Sequence, residues 1–377
     1  MTEQGLIAFF QDLHRHPELG LQEVRTAEKV REALSAAGVE MRDSGLPTGV
    51  LAVIRGKRPG RVVGLRCDMD ALPIQEESGL PYASCEAGKM HACGHDFHTA
   101  VMLGAALLLG EQEDTLAGTV KIVFQPAEEI SRGGRAMAGS GLLDDVQEFY
   151  GIHSYPQFGA GTLGIKEGPV MAAPDRFEIT LYGRGAHAAQ PAKGIDPIPA
   201  MAALVQSLQT LVSRYTDPFA NAVVTVAHVR AGSAYNVIPE TAYLEGTVRS
   251  LDQTVRQKLH DDLERMAHAV AAAYGCTADV RYEFGPDPVI NDAVLCGAAR
   301  DLALEMGFRV DRQENTMGGE DFSEYLKLCP GVFIRVGTGG DYPAHHPRFM
   351  ADPAALWPAA RYFAALARAR AEIEHNE

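Results

Sequence analysis

Long apolar runs, a surplus of basic charge and paired cysteines are all missing from this 377-residue sequence. The longest apolar stretch, Ala100 to Leu109, is far shorter than the roughly 20 residues a bilayer-spanning helix needs, and it reads as a buried helix instead. A formal net charge of -15 argues against nucleic acid or an anionic membrane surface as a partner. The six cysteines, at positions 67, 85, 93, 276, 296 and 329, have no paired spacing, which fits reduced thiols rather than a disulfide framework. The opening residues Met1-Thr2-Glu3-Gln4-Gly5-Leu6 carry no basic segment, apolar segment or small-residue cleavage site, so no secretory signal is expected and the location expected is cytoplasmic. Internal repeats and low-complexity segments are absent as well.

What the sequence does have is a concentration of metal-binding side chains. Three imidazoles and a thiol fall within His91-Ala92-Cys93-Gly94-His95-Asp96-Phe97-His98. Downstream stand Pro126-Ala127-Glu128-Glu129, then His153, and then His345-His346-Pro347 near the C-terminus. Thiolate, imidazole and carboxylate together suit a divalent transition metal, and ligands this scattered require a folded site.

Length favours two domains over one. Leu6, Phe9, Phe10 and Leu13 recur at helical spacing, as do Ala27, Val30 and Leu34, which predicts two helices ahead of the first strands. Apolar strands at Val50 to Ile54, Arg61 to Leu65 and Thr119 to Phe124, with a helix after His95, predict an α/β domain on a mostly parallel sheet. Asp68 and Asp70 follow one strand and Glu128 and Glu129 another, so these acids are expected at carboxyl ends of strands, where such sheets gather ligands. From Pro174 the pattern changes, because Phe177, Ile179 and Leu181 alternate with polar residues as in a half-exposed antiparallel strand. A helix at Ile198 to Val212, strands at Ala222 to Val229 and Thr241 to Val248, a helix capped by Ser250 and Gln253, and a strand at Cys276 to Phe284 complete a β-α-β-β-α-β sandwich. Residues 174–286 are therefore expected as an inserted α+β lid or dimerisation domain, with 1–173 and 287–377 forming the metal-binding catalytic domain.

Each candidate has a plainer reading. His14, His16, His228, His260, His268 and His375 fit surface or packing roles, and Glu-Glu pairs are usually solvated. Glu128 and Glu129, however, follow an apolar strand and Pro126; one can reach a metal and the other a bound water, and the residues alone do not say which. Cys93 and His95 read as ligands, whereas His98, one helical turn on, is open between ligation and packing below the site. Asp68 and Asp70 are open between capping a turn and holding an imidazole, and Gly318-Gly319-Glu320-Asp321 between a glycine turn and a site loop.

The segments Cys67-Asp68-Met69-Asp70-Ala71-Leu72-Pro73, Met90-His91-Ala92-Cys93-Gly94-His95-Asp96, Gln125-Pro126-Ala127-Glu128-Glu129, Gly185-Ala186-His187-Ala188-Ala189-Gln190-Pro191, Tyr235-Asn236-Val237-Ile238-Pro239 and Gly318-Gly319-Glu320-Asp321-Phe322 resemble, in order, the motifs of the M20 metallopeptidase family. The branch resembled is the amidohydrolase group of hippurate hydrolases, N-acetyl-diaminopimelate deacetylases and indole-acetyl-amino-acid hydrolases. The resemblance implies a centre of two divalent metal ions bridged by Cys93, with Glu129 and His345 completing one and His95 and His153 the other. Glu128 would be the general base; apart from the resemblance, Asp70 and Asp96 are expected to support the ligands. His187 would address the substrate carbonyl, Asn236 and Arg249 the substrate carboxylate or backbone, and a homodimer or higher homo-oligomer is implied. Gly319 departs from the serine of many relatives.

The leading expectation is thus a metal-dependent amidohydrolase that cleaves N-acyl amino acids, small molecules, with zinc, manganese, nickel or cobalt as the metal. Its rivals are a dipeptidase or aminopeptidase on the same scaffold, and a non-catalytic metal-binding scaffold protein. A closed structural zinc site would have no free carboxylate beside it, so the Glu128-Glu129 pair speaks against the scaffold. A thiol-redox role for Cys93 has no resolving cysteine near it in sequence.

Overall fold

A computed structural model describes residues 1–312 and 314–373; His375 lies outside the described residues. The chain divides into two compact units, Met1–Val170 with Ile290–Glu314 and Asp321–Glu377, and Met171–Val289 with Asn315–Glu320.

In the first unit eight strands form one sheet, in the spatial order Glu40–Arg42, Val50–Arg55, Ala117–Gln125, Arg58–Asp68, Glu148–Tyr155, Gly331–Gly337, Thr162–Gly164 and Arg309–Asp311. Its centre, from Ala117–Gln125 to Gly331–Gly337, is parallel. All seven residues of Gly331–Gly337 are buried, as expected of a parallel strand covered on both faces. Register explains why the acids converge. Asp68 pairs with Gln125, so the Asp68–Asp70 and Pro126–Glu129 segments leave the sheet at one edge. Arg66 pairs with Gly151, which brings His153 to the same edge.

The helix His95–Gly110 is apolar and buried along nearly its whole length, as the run from Ala100 predicts. It lies so close to its neighbours that a Cβ on Gly104 would sit 2.8 Å from the Ala360 Cβ and 3.0 Å from a Leu6 methyl. Its first residue is His95, so packing of this helix fixes where that imidazole begins.

In the second unit four antiparallel strands stand in the order Ala222–Ala231, Thr241–Ser250, Ala173–Tyr182 and Thr277–Glu283. Phe177, Ile179 and Leu181 are buried with Leu204, Leu208 and Leu211 of the helix Pro197–Ser213 and Leu259, Leu263 and Met266 of the helix Gln253–Ala273. The cap of the latter helix differs from the expected Ser250–Gln253 box. Asp252 is the N-cap and accepts from the Val255 amide at 2.9 Å, while the Ser250 hydroxyl takes the Asp252 amide and shapes the approach. A two-residue ladder, Ala186–His187 with Val237–Ile238, is added to the β-α-β-β-α-β order. Segment Asn315–Glu320 joins this unit because the Ala172 amide donates to the Gly318 carbonyl at 2.9 Å and Gly319 lies against Pro174. No helix among the described residues is long and apolar enough to cross a membrane.

Candidate metal centre

Two turns carry most of the donors. The first is Cys93-Gly94-His95, where Gly94 has φ +87° and caps the His95–Gly110 helix. A side chain there would collide with Ser154, whose hydroxyl would lie 2.6 Å from the new Cβ. The second is Ala127-Glu128-Glu129, entered through Ala127 at φ +55°, a left-handed conformation that costs a residue with a Cβ about 1 to 2 kcal/mol. It is held by carboxylates: Asp70 accepts from the amides of Glu128 (3.1 Å) and Glu129 (3.0 Å), and Glu23 accepts from the Ala127 amide (2.8 Å).

The structure brings Cys93, His95 and His153 within metal-binding distance of one another, and likewise Cys93, Glu129 and His345, and His95, Glu128 and Glu129. The Cys93 sulfur is 3.5 Å from His153 Nε2, and Glu129 Oε1 is 3.8 Å from His95 Nε2 and 3.6 Å from His345 Nε2. The imidazoles of His95 and His153 are oriented from behind. His95 Nδ1 lies 3.2 Å from Asp70, which as donor and acceptor leaves Nε2 facing the cluster. His153 Nδ1 donates to the Ser154 carbonyl at 2.7 Å, again freeing Nε2. His345, at φ +66°, is tied to the Cys93 turn by its amide, which donates to the Ala92 carbonyl at 2.8 Å. His346 turns elsewhere and stacks on Tyr342 at 4.4 Å.

His98 is accounted for by packing: Nδ1 meets Asp68 at 2.5 Å and Nε2 accepts the Ser154 amide at 2.6 Å, so neither nitrogen is left for a metal. Asp68 also receives Arg66, wholly buried, whose guanidinium spans Asp68 and Asp321 at 2.8 Å each. Asp321 of the Gly-Gly-Glu-Asp segment thus lies in a buried ion-pair network beneath the site. Asp96, expected beside Asp70 as a support of the ligands, pairs instead with His14 at 2.7 Å, because the first turn of its helix directs it toward the helix Glu3–Arg15. His14 is accordingly a buried ionic partner of Asp96 and Glu76. His91 is buried with neither ring nitrogen hydrogen-bonded, and burial lowers its pKa to about 4. Glu23, His14 and Arg66 carry no local sequence signal of these roles.

The donor set fits a cation. Burial, reinforced by the Glu129 carboxylate, pushes the Cys93 thiol well above its usual pKa, and burial raises Glu129 too. Glu129 Oε1 is buried without a hydrogen-bond partner. Burial keeps His153 neutral, the form that ligates a metal. A divalent ion would compensate the crowded acids and stabilise the thiolate.

His187, Asn236 and Arg249 belong to the second unit. His187 pairs with Val237 on the short ladder, and the Ala188 amide donates to the Asn236 carbonyl at 3.0 Å, so His187 and Asn236 are neighbours. Arg249 is half-buried and donates to Thr247 and to the Asp175 carbonyl; burial lowers its pKa.

An α/β sheet with thiol, imidazole and carboxylate donors at its carboxyl edge and an adjacent acid has what a metal-dependent hydrolase needs. The chain belongs to peptidase family M20/M25/M40, whose model matches residues 64–369, and it is an amidohydrolase of that family. It is 45% identical over 363 residues to an N-acetylcysteine deacetylase of Bacillus subtilis (strain 168), covering 96% of each chain. It is 43% identical over 291 residues to an N-acyl-L-amino acid amidohydrolase of Geobacillus stearothermophilus, covering 77% of this chain and 79% of that one. A crystal structure of a dinuclear metal-binding peptidase of the M20 family from Bacillus subtilis superimposes with a TM-score of 0.89 at 42% identity, covering 98% of both chains.

Proposed function

We propose that this protein hydrolyses N-acyl amino acids to a carboxylic acid and a free amino acid at a centre of two divalent metal ions. The observation that carries this reading is that Cys93 belongs to two donor triads at once, with His95 and His153 and with Glu129 and His345, while Glu128 stands beside them. That sharing supports two ions, one that would be held by Cys93, His95 and His153 and one that would be held by Cys93, Glu129 and His345. The names of the relatives support the acyl-amino-acid substrate, and the donor chemistry suits zinc, manganese, nickel or cobalt.

When bound, the ions supply Lewis acidity that lowers the pKa of an attacking water. Glu128 takes the proton from that water as it attacks the amide carbon and returns it to the departing amine nitrogen. His187 donates to the carbonyl oxygen as it gains charge, and Asn236 and Arg249 hold the amino-acid carboxylate; these roles are supported by the family motif. Residues 174–286 are proposed as the lid and dimerisation domain, for which the exposed Phe219 and Tyr235 are candidate contacts. The free cysteines support a reducing, cytoplasmic location.

Replacing Glu128 with Gln tests the assignment. Metal content should stay at the wild-type level, while turnover of N-acetyl and N-benzoyl amino acids falls by roughly a hundredfold to ten-thousandfold. A Gln variant with full activity would reject Glu128 as the base, and a wild-type preference for free-amine dipeptides would reject the substrate class.

A further inference from the structure

We infer that Glu23 is a positioning residue for the hydrolytic acids: by holding the Ala127 amide it fixes the left-handed turn that aims Glu128 and Glu129. Glu23 precedes the stretch matched by the family model and is wholly buried. It occupies the N-cap position of the helix Val24–Ala36, yet its side chain makes no cap hydrogen bond there. An N-cap acid ordinarily binds the first amides of its own helix. This one reaches across the sequence and accepts from Ala127 at 2.8 Å.

The consequence lies in the backbone. Ala127, Glu128 and Glu129 present three successive amides, the first to Glu23 and the next two to Asp70. Asp70 is also engaged by the His95 imidazole, so it anchors both turns at once. Glu23, which Thr48 also hydrogen-bonds, is the side chain that takes the amide of Ala127, the residue whose φ of +55° sets the direction of the two acids. The surrounding chain backs the turn by shape as well, since a Cβ on Gly20 would come within 3.3 Å of both Ala127 Cα and Asp70. Without the Glu23 oxygen a buried amide loses its partner in a conformation alanine disfavours, and rotation at Ala127 relieves both at once. That rotation carries Glu128 and Glu129 with it.

This inference rests on the roles proposed above for those two acids, and its test separates the two. The full chain is compared as wild type, Glu23→Met, which keeps the volume but removes the oxygen, Glu23→Gln, which keeps an acceptor, and Glu23→Met/Ala127→Gly. Gln matches Glu in size and keeps a carbonyl oxygen that can accept from the Ala127 amide. Zinc retained against a chelator is measured without substrate, and kcat and KM are measured with an N-acetyl amino acid. Glu23→Met should lose zinc about tenfold more readily and lose about tenfold in kcat, with KM within about twofold. Glu23→Gln should restore most of both, and glycine at 127 should recover part, because glycine adopts that φ freely. Zinc retention and kcat within twofold of wild type in Glu23→Met, or no recovery in Glu23→Gln, would overturn the proposal. Should Glu23→Met not fold, Glu23→Asp takes its place, since it withdraws the oxygen by one methylene; wild-type zinc retention in that variant would equally overturn it. A wild-type protein that hydrolyses no N-acyl amino acid would instead sink the proposed activity and leave the zinc result standing.

Discussion

At Gly94 and at Ala127 the backbone enters the left-handed region, with φ +87° and +55°, just ahead of His95 in one case and of Glu128 in the other. Glycine accepts that geometry at no steric cost, and the crowding by Ser154 would exclude any larger residue. Alanine does not accept it freely, and its turn stands because Glu23 and Asp70 take three amides in a row. One turn is therefore specified by the residue in it, the other by carboxylates supplied from far away in the chain. A locally specified turn survives loss of its surroundings better, whereas a remotely specified one ties the acids to the integrity of the N-terminal segment.

The largest effect should come from removing the buried ion pair beside the Gly94 turn. His14 pairs with Asp96, the residue after His95, and although burial opposes its charge, Asp96 and Glu76 raise its pKa to about 10. His14→Ala leaves the Asp96 carboxylate buried and unpaired, at a cost of about 3 to 5 kcal/mol in urea unfolding at pH 6. The folded-state pKa exceeds the ordinary 6.5, so this stabilisation is complete below pH 6.5, declines as the unfolded chain loses its proton above that, and is gone once pH passes about 10. The gap between wild type and His14→Ala should narrow across that window. A gap constant from pH 6 to 10.5 would show that His14 acts by packing alone.

Next comes Gly94→Ala. The strained φ and the contact with Ser154 act together, for a loss of about 2 to 3 kcal/mol, with weakened metal retention because the substituted residue lies between Cys93 and His95. Calorimetry of the metal-free protein isolates the backbone part. A melting temperature equal to that of wild type would mean that the turn relaxes without strain.

The contrast between the turns also marks how far the sequence could be read. Strands and helices were legible because Phe177, Ile179 and Leu181 alternate and Leu204, Leu208 and Leu211 recur at helical spacing, signals written within single elements. The nearness of Cys93 to His95 was legible for the same reason. Contacts made by tertiary folding left no local trace: Arg66 meets Asp321 across the first unit, and Glu23 meets Ala127. Asp96 was expected as a support of the ligands, but on a helix adjacent residues face different ways, and its carboxylate meets His14. The Ser250–Gln253 cap failed because Asp252 offers a carboxylate closer to the first free amides.

The smallest expected effect is the sharpest test of the comparison. Ala127→Gly removes the strain of a left-handed alanine but loosens the unfolded chain, two opposing terms of about 1 kcal/mol each. Melting temperature should therefore change little, in contrast to Gly94→Ala, where both the φ and the contact are lost in the same direction. If Glu23 and Asp70 hold the turn, glycine gains nothing in position and frees only the backbone between its anchors, so metal retention should fall by no more than about threefold. A clear rise in stability would mean that the strain at Ala127 exceeds the entropy term. A loss as large as that of Gly94→Ala would mean that the methyl group of Ala127, buried under the turn, contributes packing that the carboxylate anchors cannot replace.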